Sequence, residues 1–398
     1  MQTHAQTLSE RSLQSVVAIG ARGVGGEGGT GVSTYASTLH DALLSCGAKV
    51  GFAGGEDLQR RPHALHNKLF RFLTSLKRQQ PLIFSQAEHS WERSDFFRKI
   101  QVHFSTFGRL SSVRSAYTPD IVHWSYPFPV YWENIPNIYT IHDLIPLLHP
   151  ELTGIQSDRM LQILRQCMQK AAAIVTVSDA VQQDIAALFP EYSHKVTVLG
   201  QAVSVSPKQK IENFSSDEGE KCFLYFGSIE KRKNIARLIE AHGQSGTNRP
   251  LRLLGNKGFG AREELLALGR HPRPALVQQV SWCERESLLA QIQNACAVLF
   301  PSLAEGFGLP IVESMALGTP VMTSDRHATQ EIAGQAALLV DPYNIPEMAE
   351  AISVLDQNAE VRRNLTARGL VRAQAFSMDT YARRVAGFYE SLRAEQSS

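Results

Sequence analysis

Short apolar runs alternate with amphipathic stretches along the whole chain. Residues 15–20, 49–53, 120–124, 137–141 and 173–177 are apolar enough to predict buried strands, and 195–199 closes this half. Residues 32–44 and 180–188 have helical spacing, the second with Ser178 and Asp179 placed to cap it. After a polar stretch at 201–221, which holds Pro207 and a Ser-Ser-Asp-Glu-Gly-Glu run, the strand pattern restarts at 222–226. It recurs at 252–255, 275–280, 295–300, 321–323 and 337–340, and residues 378–394 form a terminal helix. Strand and helix alternating in this way predict an α/β fold with doubly wound parallel sheets. At 398 residues the chain exceeds one core, so two domains are expected, 1–205 and 206–376, followed by the helix 377–398.

Composition narrows the class. With 43% apolar and 20% charged residues, the chain reads as a soluble globular protein. A net charge of +2 argues against a nucleic-acid partner. The five cysteines (Cys46, Cys167, Cys222, Cys283 and Cys296) are scattered without a CxxC, so neither a disulfide framework nor a zinc site is expected. Residues 1–14 are polar and lack a signal-peptide core, and no apolar stretch is long enough to span a bilayer. The expectation is a cytoplasmic protein.

The chemistry concentrates at residues 300–320. An apolar strand runs into a loop with Gly306 and Gly308, where a ligand can approach the backbone. Pro310 suits the first helical position and Gly318 the helix stop. Free amides at that helix start favour an anion. Glu305 lies on the loop and Glu313 about one turn into the helix, leaning back toward its start. Two carboxylates beside an anion site conflict unless the ligand carries hydroxyls next to its phosphates, as a sugar nucleotide does. The plainer alternative is a strand-loop-helix with two solvated glutamates.

The string EGFGLPIVE, glutamate, seven residues, glutamate, resembles the signature of family 4 of the glycosyltransferases. That resemblance implies a retaining enzyme of GT-B fold, two Rossmann-like domains facing a central cleft, with the terminal helix crossing back onto the first. It also implies that Glu305 holds hydroxyls of the transferred sugar and Glu313 the ribose. The backbone of Gly306, Phe307, Gly308 and Leu309 would contact sugar and phosphate.

Other stretches fall into place around this one. Residues 20–31 form a glycine-rich turn with a formal GxGxxG at Gly23, Gly25 and Gly28, and Glu56 follows the next strand. A nicotinamide-binding reading is therefore weighed. The turn is too long for it, and no Lys precedes a Ser or Thr as in a Walker-type phosphate loop. By resemblance, Gly31 passes the donor phosphates while Gly29 and Thr30 face the acceptor. His142 and Asp143 come directly after the strand 137–141, where doubly wound sheets hold ligands. Resemblance sets His142 against the transferred sugar; Asp143, expected on the acceptor side with Gly29 and Thr30, either caps the next segment or orients His142. Arg232 and Lys233 lie at a helix start, a second anion site, and resemblance gives them the donor diphosphate. Where many family members carry Arg after the glycine, this chain has Ser228. The loops 256–260, opening with Asn256, and 281–283 should bracket the base. No Asp-x-Asp occurs, so neither a metal nor any other cofactor is expected.

Two stretches admit two readings each. Residues 60–78 place Leu65, Leu69, Phe72, Leu73 and Leu76 at helical spacing among Arg60, Arg61, Lys68, Arg71, Lys77 and Arg78. This is either a surface helix for the inner face of an anionic membrane or a helix packed on its own sheet. Residues 91–109 carry Phe96, Phe97, Phe104 and Phe107, which line an acceptor groove or fill the core.

Finally, Tyr126-Pro-Phe-Pro and the segments 135–146 and 173–179 are similar to bacterial mannosyltransferases of exopolysaccharide and lipopolysaccharide assembly. They imply GDP-mannose as donor and a polyprenyl-diphosphate-linked oligosaccharide or other glycan as acceptor. UDP-glucose is the alternative donor. Three other classes stay open: a phosphorylase-like enzyme needing a pyridoxal phosphate lysine, a nicotinamide-dependent oxidoreductase, and a glycan-binding module without turnover.

Overall fold

The structure, a computed structural model, describes residues 13, 15–22, 31–55, 81–205, 221–281 and 283–397. In the first half the strands are β1 (Val16–Gly20), β2 (Lys49–Gly54), β3 (Ile83–Ser85), β4 (Ser90–Glu92), β5 (Ser111–Val113), β6 (Ile121–Trp124), β7 (Val130–Trp132), β8 (Asn137–Ile141), β9 (Ala173–Thr176) and β10 (Val196–Val198). Eight of them form a sheet in the order β10-β9-β8-β6-β1-β2-β4-β3, and β5 pairs with β7 apart from it. Only β3 runs antiparallel, against β4. At the centre, Val17 pairs with Val50 on one side and Ile121 on the other. Such strands are apolar on both faces because helices cover both. The helix Gly31–Ser45, for example, buries Tyr35, Leu39, Ala42 and Leu43 along one stripe.

The second half supplies β11 (Phe223–Phe226), β12 (Leu251–Leu254), β13 (Val277–Val280), β14 (Ala297–Phe300), β15 (Val321–Ser324) and β16 (Leu338–Val340). Their order is β13-β12-β11-β14-β15-β16, all parallel. The order reverses between β11 and β14, and a ligand crevice opens at such a point beyond the strand ends. These are the two doubly wound sheets that the apolar runs predict. Boundaries differ by a residue or two. The run 275–280 starts late as a strand because Pro274 opens a short 3-10 turn. Residues 206–220, where the expected division between domains falls, lie outside the described residues.

The helix Met378–Ser397 packs on the first half. Tyr389 Oη lies 2.7 Å from His123 Nδ1, and Cys46 Sγ donates to the Ala382 carbonyl at 3.4 Å. Between residues 91 and 109 the aromatic side chains divide. Phe96, Phe97 and Phe104 are buried with Trp91, Trp124 and Trp132 under the first sheet, whereas Phe107 is exposed. Core filling, rather than a groove, accounts for the first three.

Candidate functional site

The site is assembled where β11 and β14 end side by side. Past β11, Gly227 and Gly255 pass so closely that a Cβ on Gly255 would lie 1.9 Å from the Gly227 carbonyl oxygen. Gly255 also has φ +152°, so glycine is required there twice over. Lys231–Lys233 make one 3-10 turn, and Asn234 in left-handed conformation starts the helix Ile235–Gln244. Asn234 Nδ2 donates to the carbonyls of Pro301 (3.1 Å) and Pro342 (2.7 Å). The Leu303 amide donates to the Arg232 carbonyl at 2.8 Å. These bonds stitch the basic turn to the loop after β14.

The result is a buried ion triad. Arg232 Nη1 donates to Glu305 Oε2 at 2.7 Å, and Lys233 Nζ donates to Glu305 Oε1. Lys233 also lies over the Phe300 ring at 4.8 Å. Lys233 is 7% exposed and Glu305 8%, so these are not solvated charges. Burial alone would raise the Glu305 carboxyl; Arg232 and Lys233 overcome it and hold the group below the usual carboxylate value. Arg232 takes a second acid, Glu230, at 2.9 Å, and Ser228 Oγ donates to the same Glu230 oxygen at 2.6 Å. In the expected scheme Glu305 was one holder and the two cations another. Here they hold each other, because β11 and β14 are neighbours in the sheet.

Gly308 (φ +102°) turns the chain into the helix Leu309–Ala316, with Pro310 second rather than first. Glu313 is buried on it and pairs with Arg285 at 2.5 Å. Burial pushes the Glu313 carboxyl up against the pull of Arg285. Arg285 opens the helix Arg285–Asn294 and was not anticipated. Its one signal was its place just after the loop 281–283. Phe307 turns its ring into the core, edge-on to Phe376 at 5.5 Å, so only its backbone can face a ligand. Asn256 is exposed, and its carbonyl accepts from the Ile229 amide at 2.9 Å.

From the first half, His142 and Asp143 do reach this place. A Cβ on Gly306 would sit 1.7 Å from the His142 carbonyl oxygen and 3.1 Å from Asp143 Cβ. His142 Nε2 lies 2.8 Å from the Ser125 carbonyl oxygen, which only accepts, so that nitrogen carries the proton and Nδ1 is left as an acceptor. Burial lowers His142 to about 4, so the ring is neutral. The Tyr35 ring meets it edge-on at 4.9 Å. Tyr35 in turn accepts from Thr140, which lies 2.7 Å from His123, giving a buried polar chain that reaches Tyr389 of the terminal helix. No motif pointed to this chain. Asp143 accepts from the Ile145 amide at 3.1 Å, at the start of the short helix Ile145–Leu148. A Cβ on Gly31 would have Leu309 Cδ1 as its nearest neighbour, at 3.9 Å, so Gly31 too borders the second half.

Further contacts join the halves. Ser178 Oγ donates to the Gly306 carbonyl at 2.7 Å. Glu331 accepts from the amides of Asp179 (3.0 Å) and Ala180 (2.8 Å) at a helix start. His327 Nε2 meets Asp184 at 2.9 Å. Gly29, Thr30, Glu56, Trp282 and the basic stretch 60–78 lie outside the described residues. Among the described residues no group of three or more His, Cys, Asp or Glu side chains is placed to hold a metal. Nor is any described helix long and apolar enough to cross a membrane.

Comparison with known proteins follows the same division. Residues 29–206 match the family described as Glycosyltransferase Family 4, and residues 207–371 match Glycosyl transferases group 1. O-antigen chain mannosyltransferase B of Escherichia coli is 28% identical over 267 residues, 64% of this chain and 70% of that protein. O-antigen chain mannosyltransferase RfbU of Salmonella typhimurium is 27% identical over 221 residues, 55% of this chain and 60% of that protein. Glycogen synthase of Mycobacterium tuberculosis is 26% identical over 294 residues, 71% of this chain and 70% of that protein. Among solved structures, sucrose-phosphate synthase from Thermosynechococcus elongatus superposes with a TM-score of 0.69 at 19% identity, over 96% of this chain and 100% of that one. The shared fold is GT-B.

Proposed function

Since the chain belongs to the family 4 glycosyltransferases, we propose that it transfers mannose from GDP-mannose, with retention, to a glycan or polyprenyl-diphosphate-linked oligosaccharide of a surface polysaccharide. The observation that carries this reading is the triad of Arg232, Lys233 and Glu305 at the sheet's reversal point, next in the chain to Gly306, which abuts the His142 carbonyl of the first half. It offers cations for a diphosphate and acceptors for sugar hydroxyls in one cleft. Likeness to the two O-antigen mannosyltransferases supports mannose. Likeness to glycogen synthase keeps a glucosyl donor such as UDP-glucose as the second reading.

In the proposed reaction the bond from the anomeric carbon to the diphosphate oxygen breaks. An acceptor hydroxyl oxygen bonds to that carbon on the same face, and its proton passes to the departing diphosphate. Arg232, Lys233 and the backbone amides at Gly308 and Leu309 meet the charge that grows on the leaving group, without a metal. Glu305 holds sugar hydroxyls and His142 Nδ1 accepts from another. Glu313 accepts from the ribose diol, and the loop at Asn256 lies beside the base. Gly29, Thr30 and Gly31 border the acceptor and donor phosphates. The enzyme works at the inner face of the cell membrane, with residues 60–78 as the proposed contact.

Glu313→Ala tests the donor site. Loss of two charge-assisted hydrogen bonds, about 1.5–3 kcal/mol each, should weaken GDP-mannose binding roughly a hundredfold or more in calorimetry. Unchanged affinity defeats the assignment.

A further inference from the structure

The two cations of the proposed phosphate site are already paired with acids of this chain. Lys233 is taken by one oxygen of Glu305 and Arg232 by the other, and Arg232 holds Glu230 as well. Glu230 is fastened within its own turn by Ser228. The Glu305 side chain is held chiefly by the two cations, with a smaller contribution from a hydrogen bond to Ser302. Its backbone, in contrast, is held from both sides. The Glu305 carbonyl lies 3.4 Å from His327 Nδ1, and the next carbonyl, Gly306, accepts from Ser178 at 2.7 Å. With the His142 carbonyl already against Gly306, the loop has nowhere to retreat.

We infer that Glu305 is an internal stand-in for the donor's phosphate: its carboxylate fills the Arg232–Lys233 site when the cleft is empty, and donor phosphoryl oxygens displace it onto the sugar. This rests on the reading of the cleft as a nucleotide-sugar site. Because the loop is pinned, the exchange is a rotation of one side chain. Phosphate alone breaks the buried ion pair and leaves the carboxylate buried and unpaired, which is costly. A nucleotide sugar breaks the same pair and gives the freed carboxylate hydroxyls to accept from. The site therefore distinguishes the intact donor from its nucleoside diphosphate. After transfer, the returning carboxylate helps to expel the diphosphate.

Inorganic pyrophosphate is the probe, titrated into the full chain by calorimetry. Glu305→Gln keeps the shape of the side chain and removes its charge. Pyrophosphate should then bind about tenfold tighter than to the wild type, the size of one charge-assisted contact, while GDP-mannose gains nothing. Asp143→Asn removes a charge that acts on Arg232 without touching it. Its gain should be smaller than the gain from Glu305→Gln, because a charge farther from the cations holds them less strongly. Glu305→Asp, too short to span both cations, should fall between wild type and the Gln variant. It also serves if Glu305→Gln fails to fold. Equal or weaker pyrophosphate binding to the Glu305 variants overturns the inference, as does an equal gain in Asp143→Asn. If wild type turns over GDP-mannose while the Glu305 variants lose pyrophosphate, the inference falls and the function stands. If pyrophosphate binds tighter and no nucleotide sugar binds the wild type, the function falls and the internal anion stands.

Discussion

Replacing Gly306 with alanine would drive a methyl group into the seam between the two halves. The added Cβ would lie 1.7 Å from the His142 carbonyl oxygen, 2.8 Å from its carbon and 3.1 Å from Asp143 Cβ. The nearest of these atoms are backbone, so no flexible side chain can swing aside. Gly306 is not among the glycines with positive φ, so the cost is one of space and not of conformation. To restore ordinary contact, the His142 strand end must retreat by more than about 1 Å. That movement pulls on the Ser178–Gly306 hydrogen bond and on the small apolar contact of Ile145 and Leu152 with Ala304. Overpacking of this kind costs about 1–3 kcal/mol, a drop of a few degrees in melting temperature for a chain this long. Catalysis should suffer far more, since a misplacement of about 1 Å can cost roughly 100-fold. The assay is kcat/KM from release of the nucleoside diphosphate, alongside scanning calorimetry and small-angle scattering. Gly387→Ala is the control, because nothing lies within 4 Å of its added Cβ. Wild-type kcat/KM and an unchanged melting temperature in Gly306→Ala would refute the claim that His142 and the Gly306 loop are pressed together.

Gly387 lies exposed inside the helix Met378–Ser397, so its replacement by alanine should stabilise the protein by about 0.5–1 kcal/mol with turnover unchanged; a lower melting temperature would count against this packing of the terminal helix. The His327–Asp184 pair predicts a pH-dependent clasp between the halves. Its hydrogen bond to Asp184 raises His327 above the ordinary histidine value. The pair's contribution is therefore complete below about pH 6.5 and is lost as pH rises through the raised value. The His327 side chain is 40% exposed, so solvent screening limits the effect, to about 0.2–1 kcal/mol. Asp184→Asn should lower denaturant stability by that amount on the acid side and by nothing in alkaline buffer; a gap that does not change with pH would contradict it.

The sequence by itself determined the elements and most of the candidate residues. Buried parallel strands are continuous apolar runs, so β1, β6, β8, β9, β11 and β14 were legible one by one. The loop from Glu305 to Leu309 was legible because glycine and proline have strong local meanings. The edge strand β3 and its neighbour β4 were not, since three-residue strands, with Ile83 of β3 exposed, carry no period to detect. Nor did the local pattern say whether Phe96, Phe97 and Phe104 line a groove or fill a core.

Only the tertiary structure decided the partners. Glu305 lies 72 residues from Lys233 and 73 from Arg232, and Tyr389 lies 266 from His123. Arg285 reaches Glu313 from the start of another helix. Strand order sets each of these meetings, and strand order is a property of how whole sheets bury their faces. A side chain's type and its neighbours in the chain carry no information about which distant loop will end beside it.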